Sequence, residues 1–86
     1  MDLEKRILEV LNASGVHIFH SDFELTATGN LGGILSSNDF SGMDETARQE
    51  LVWNKLKSKL TEDESRHIVS LITVTPEEEK MFKQEA

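Results

Sequence analysis

The sequence has no cysteine, no tyrosine, one proline and one tryptophan among its 86 residues. Without cysteine there is no disulfide, no zinc–thiolate knuckle and no thiol catalysis. A secreted domain of this size usually carries disulfide staples, so a reducing compartment, the cytoplasm, is the expected location. No apolar run approaches the ~20 residues that span a bilayer. The opening Met1-Asp2-Leu3-Glu4 reads neither as a signal peptide nor as an arginine-rich transit peptide. Cations are scarce too: 9 Lys and Arg against 16 Asp and Glu give a net charge of −7. Such a surface repels a phosphate backbone unless its few cations cluster on one face. The balance therefore weighs against nucleic acid and anionic membrane. It fits protein partners or a bound cationic or metal species, and it fits solubility alone equally well.

What is present describes a small folded domain. The length leaves room for one domain, residues 1–86. A hydrophobic content of 37% with 29% charged residues is that of an ordinary soluble globular chain. Leu3, Ile7, Val10 and Leu11 recur at helical spacing, which predicts a first helix over 2–14 with Asp2 as its cap and Gly15 as its stop. Residues 16–19 are strand-like, and Phe23, Leu25 and Ala27 alternate with polar residues, which predicts a strand over 23–28. Gly29-Asn30 reads as a two-residue hairpin turn and 31–37 as the return strand. The Gly32-Gly33 pair inside that strand marks a bulge, or a place where another backbone or ligand comes close, the bulge being favoured.

After a polar connection, Ser41-x-x-Asp44 resembles a capping box. A second helix follows over 44–60, with Ala47, Leu51, Val52, Leu56 and Leu60 on its core face. Asp44 and Glu45 near its start, and Lys55, Lys57 and Lys59 near its end, complement the helix dipole. Residues 61–66 read as an exposed acidic loop. Residues 67–74 form a nearly continuous apolar run, which predicts a strand covered on both faces or central in its sheet. Thr75-Pro76-Glu77-Glu78 is a helix start with a cap, a first-turn proline and a capping-box glutamate, and the short helix it opens carries Met81 and Phe82. The order αββαβα gives a hairpin and a third strand that returns parallel after a helix. The expected fold is a two-layer α/β (α+β) domain, with a three-stranded mixed sheet and helices on one face.

Phe40-Ser41-Gly42-Met43, Arg48-Gln49, Val52-Trp53, Leu56, Leu60, His67-Ile68-Val69-Ser70-Leu71 and Thr73-Val74-Thr75-Pro76-Glu77-Glu78 together resemble the second half of BolA-like proteins. The match runs almost without a gap from Phe40 to Glu78. The resemblance implies a type II KH-like fold. It also implies a non-enzymatic adaptor that is a monomer alone and pairs with a monothiol glutaredoxin, sharing an iron–sulfur cluster with it. In that family a histidine at the start of the last strand is a cluster ligand, and His67 matches it. Arg66 beside it would help dock the partner. A second ligand in the family often comes from the loop between the first two strands. Here the turn Thr28-Gly29-Asn30 has neither His nor Cys, so His20, then His17, is the candidate. Both precede the hairpin if 23–28 is the first strand. Glu79 stands where the family usually has tryptophan.

From residue chemistry alone, each histidine is more often a satisfied polar group than a ligand, because scattered histidines are weak metal evidence by themselves. Gly29-Asn30-Leu31-Gly32 matches the G-x-x-G of nucleotide-clamping loops but lies between strands without basic neighbours, and is read as chance. His20, Ser21 and Asp22 are sequence neighbours and lack an oxyanion loop, and Glu77 to Glu79 form a solvated helix start, so no catalytic site is expected. Two alternatives to the cluster-sharing adaptor stand. One is a nucleic-acid-binding, stress-response regulator acting through Arg48, Lys55, Lys57 and Lys59. The other is a metal-free protein-interaction module.

Overall fold

The computed structural model describes residues 3–84. The chain forms α1 (Leu3–Ala13), β1 (His20–Leu25), β2 (Leu31–Ser36), a 3-10 turn (Asn38–Phe40), α2 (Glu45–Lys59), α3 (Glu62–Arg66), β3 (Ile68–Val74) and α4 (Pro76–Gln84). The sheet is mixed, in the order β1-β2-β3, with β1 antiparallel and β3 parallel to β2. Side chains alternate across each strand, so Leu31, Leu35, Ile68 and Leu71 share one face. They pack with Ile7 and Leu11 of α1 and Val52 and Leu56 of α2 in one buried cluster that also takes in Phe40. The two-layer mixed α+β architecture is the one expected from the order of elements.

Several local readings need correction. The cap of α2 is Asp44, whose carboxylate accepts from the Ala47 amide at 2.8 Å; Ser41 instead closes the 3-10 turn. The proposed capping role of Asp2 and the side chain of Phe82 lie outside the described residues. Strand β1 begins at His20 and ends at Leu25, because Leu25 pairs with Leu31 and the chain then turns. The turn is longer than the two residues expected. The Gly29 amide donates to the Thr26 carbonyl, the Thr26 amide donates to the Asn30 carbonyl, and Gly29 sits at φ 84°. A three-residue loop closed by a left-handed glycine has this form.

Residues 61–66 are not a loop. They carry α3, started by a full capping box. The Glu64 amide donates to Thr61 Oγ1 at 3.1 Å, and the Thr61 amide donates to Glu64 Oε1 at 2.9 Å. The expected box at the last helix is present as well, with the Glu78 amide donating to Thr75 Oγ1 and the Thr75 amide donating to Glu78 Oε1. Strand β3 is an edge strand and not the centre of the sheet. Its run is apolar on both faces, yet Val69 is 59% and Ile72 47% exposed. Its outer carbonyls are covered from α2: Gln49 Nε2 donates to Leu71 at 2.7 Å and Arg48 Nη1 donates to Thr73 at 3.2 Å. Occupied edge groups blunt pairing with another chain.

The two strand glycines differ in kind. The β2–β3 pairing is irregular between Leu31 and Gly32, which is the expected bulge; the extra residue is Val69 of β3. Gly33 is required by close approach: a Cβ there would lie 2.4 Å from Phe23 Cδ1, so the ring of its cross-strand partner occupies the space. At Gly32 a Cβ would meet nothing nearer than 3.7 Å, an ordinary contact. Gly33→Ala is therefore expected to lower stability by about 1–3 kcal/mol through overpacking. Gly32→Ala is expected to be neutral or to raise stability by up to about 1 kcal/mol. Urea denaturation of both variants checks the contrast, and equal losses would contradict it.

Candidate functional site

His67 follows the last residue of α3 and immediately precedes β3, and both neighbours fix it. Its amide donates to the Glu64 carbonyl at 3.2 Å, and its own carbonyl accepts from the Leu31 amide at 2.7 Å. The backbone is thus tied at once to the short helix and to the central strand. The ring is half-buried, with Nδ1 2.8 Å from the Asp63 carbonyl oxygen, one helical turn back. A carbonyl can only accept, so Nδ1 carries the proton and the neutral ring keeps its lone pair on Nε2. Among the described residues Nε2 has no hydrogen-bond partner. A backbone carbonyl held by one imidazole nitrogen while the other faces outward is the usual support of a metal-ligating histidine.

The ring borders a cleft of about 390 Å³, whose wall includes Leu3, Glu4, Leu25 and Gly29 as well as Asp63. Leu25, the last residue of β1, is 66% exposed there. Arg66 lies one residue from the ring and is exposed. The helix that presents His67 is anchored from below. Glu64 is buried and accepts from Arg6 Nε of α1 at 3.3 Å, while Arg6 Nη2 also donates to the Lys59 carbonyl at the end of α2. The Thr61 amide first, and then Arg6, hold the Glu64 carboxyl below its ordinary value. Sequence reasoning missed Arg6, Asp63 and Glu64 and read this stretch as a loop; the signal that could have found α3 is Thr61-x-x-Glu64, a capping box within an acid-rich stretch.

His20 does not join this site. It pairs with Ser36 at the far end of β2, whereas His67 adjoins Leu31 at its beginning. Five strand steps separate the two ends, roughly 17 Å. The pairing of His20 with His67 as joint ligands is thus corrected by the topology. His20 instead places Nδ1 2.7 Å from Glu79 Oε2 of α4, where it holds a largely buried carboxylate. It bonds neither of its neighbours Ser21 and Asp22. His17 lies at the same end, its amide 2.8 Å and its Nδ1 3.3 Å from Asp39 Oδ2. The His17 amide is the main cause of a lowered Asp39 carboxyl pKa. Among the described residues, no group of three or more His, Cys, Asp or Glu is arranged to hold a metal ion.

The cations proposed for phosphate contact are also dispersed. Arg48 is buried, and its guanidinium donates to the Met43 and Thr73 carbonyls and to both carboxylate oxygens of Glu78. It is therefore not available to a phosphate, which corrects its place in that reading. The Glu78 carboxylate raises the Arg48 pKa, and Arg48, then the Thr75 amide, lowers that of Glu78. Lys55 and Lys59 share a face of α2, while Lys57, two positions on, points to the other side. Among the described residues no helix is long and apolar enough to cross a membrane.

Comparison with known proteins places this geometry. No family model matches the sequence, and no curated protein matches it. Solved structures do. BolA1 from Arabidopsis thaliana is 23% identical, with a TM-score of 0.67 over 91% of this chain and 96% of that one. A BolA protein homologue from Coxiella burnetii is 22% identical, with a TM-score of 0.64 over 93% and 99%. The BolA domain of SufE1 from Arabidopsis thaliana is 20% identical, with a TM-score of 0.64 over 86% and 92%. The fold thus defines a small α+β class with a mixed three-stranded sheet. Within that class it is BolA-like.

Glu64 and Glu78 give the fold a pH dependence of known sign. Each is more acidic when folded, so its contribution is complete above the ordinary glutamate value of 4.5 and is lost as pH falls through the lower folded value. Circular dichroism across an acid titration should show stability falling below that point. The fall should be shallower in the Glu64→Gln/Glu78→Gln double variant, which starts from a lower neutral-pH stability. An unchanged acid slope in that variant would contradict the assignment.

Proposed function

We propose that this chain is a non-enzymatic adaptor that docks on a monothiol glutaredoxin and lends His67 Nε2 to an iron–sulfur cluster shared by the two. The observation that carries the reading is the His67 ring, with Nδ1 bound to the Asp63 carbonyl and Nε2 without a partner among the described residues, in a residue that lines a cleft at the start of β3. The BolA-like fold supports it, because His67 stands where the resemblance places a cluster ligand. The donor chemistry fits a single imidazole ligand. The sequence has no cysteine, and its other histidines lie at the opposite end of the sheet, so thiolates must come from the partner. Neutral imidazole in place of thiolate lowers the negative charge of such a cluster and raises its potential.

The residues of this chain then have distinct tasks. The Asp63 carbonyl fixes the tautomer and direction of the ring. Leu25 offers an apolar contact beside it, and Arg66 a cation for an acidic partner surface. Glu64 and Arg6 keep α3 seated, so the ring does not move with a fraying helix. A BolA domain occurs within SufE1, where it is one part of a larger protein, which agrees with a module that works through a companion. The nucleic-acid reading is weakened by the burial of Arg48 and the net charge of −7.

Reconstituting the cluster in a mixture with a monothiol glutaredoxin tests this. The wild-type chain should form a heterodimer whose visible circular dichroism differs from that of the glutaredoxin alone. His67→Ala should abolish that difference, and His20→Ala should preserve it. Identical spectra for wild type and His67→Ala, or no heterodimer at all, would overturn the proposal.

A further inference from the structure

The face of the sheet opposite α1 and α2 is open over its middle. Two rows of cross-strand neighbours run across it: Asp22, Ile34 and Ile72, and beside them Glu24, Gly32 and Ser70. These residues line a shallow depression of about 310 Å³. Its floor is Gly32, the glycine that the fold does not require. It has no positive φ, and a Cβ there would meet only the Ser70 carbonyl and Val69 Cγ2, each at 3.7 Å. A glycine inside a strand weakens it and marks a bulge or a close approach. The bulge beside Gly32 takes its extra residue from β3, and no internal contact fills the space over Gly32, which leaves room there for an outside group.

The walls differ in chemistry. On the β3 side stand Val69 and Ile72, 59% and 47% exposed, brought together by the bulge that displaces Val69. On the β1 side stand the exposed carboxylates of Asp22 and Glu24. The three strands contain no lysine or arginine. Gly32 lies midway, about 5 Å from either neighbouring strand. We infer that this face docks a basic segment of a partner protein, with the apolar stem of an arginine or lysine laid over Gly32 against Val69 and Ile72 and its charged head between Asp22 and Glu24. Long cationic side chains bury their stems on apolar surface while the head stays polar, which is the division this surface offers. A second copy of this chain docked face to face would bring no cation from its strands to meet Asp22 and Glu24, and a phosphate backbone would be repelled by them. The face is separate from His67, and the inference stands whether or not a cluster binds there.

The test is an amide NMR titration of the full chain with the synthetic peptide Leu-Arg-Leu-Arg-Leu-Arg, alongside the same peptide with glutamate in place of arginine. Saturable shifts should centre on Asp22, Glu24, Gly32, Ile34, Ser70 and Ile72 with the arginine peptide and be absent with the glutamate one. Gly32→Leu, which fills the notch, should weaken binding about tenfold or more. The Asp22→Asn/Glu24→Gln double variant, which leaves every glycine in place, should do the same and lose the salt dependence. Shifts scattered over the acidic surface without saturation, or an affinity unchanged in the double variant, would overturn the inference. So would self-association through this face, seen by sedimentation without peptide.

Discussion

One hydrogen bond, from His67 Nδ1 to the Asp63 carbonyl, decides whether this end of the molecule has a donor to offer. It exists only while α3 exists, and a helix of five residues has no stability of its own. Its stability is borrowed. Thr61 and Glu64 close the first turn on each other, and Glu64 is held from α1 by Arg6, which also takes the last carbonyl of α2. The chain of dependence therefore runs from a cation on the first helix, through a buried carboxylate, to the tautomer of an imidazole at the sheet edge. The site is made by the tertiary fold and not by any local motif.

A second carboxylate–guanidinium contact does comparable work at the other end. Arg48 joins the loop before α2, the edge of β3 and the start of α4 through Met43, Thr73 and Glu78. Beside it, Gln49 covers the Leu71 carbonyl and is itself held by the Trp53 indole. A cation that looks available for phosphate in the sequence is thereby part of the scaffold. The two ends of the sheet are chemically different as a result. At one end His20 closes on Glu79 and Arg48 on Glu78, and at the other the His67 ring has one nitrogen without a partner among the described residues.

Much of this was legible in the sequence because the signals were periodic or positional. Leu3, Ile7, Val10 and Leu11 marked α1, and Thr75-Pro76-Glu77-Glu78 marked the start of α4. The apolar run from Ile68 to Val74 marked β3, and the position of His67 before it followed from the family resemblance. What failed did so for identifiable reasons. An acid-rich five-residue helix has no apolar stripe, so α3 read as a loop. A run that is apolar on both faces reads as a central strand, yet Val69 and Ile72 face solvent on an edge strand. Ala27 continued the alternation of Phe23 and Leu25 into what is a turn, which misplaced β1 and with it His20. That Arg48 is buried depends on three elements distant in sequence, and no local pattern encodes it.

The open nitrogen of His67 is the point on which the functional reading rests. Long-range proton–nitrogen NMR of the histidine rings, at a pH where they are neutral, reports directly which nitrogen carries the proton. His67 is expected to be protonated at Nδ1, with a bare Nε2 whose signal moves when a soft metal is added. A ring found protonated at Nε2, with Nδ1 bare, would mean that the Asp63 carbonyl does not set the tautomer. The bare nitrogen would then be the one beside the Asp63 carbonyl, contradicting the ligand role assigned to His67 Nε2.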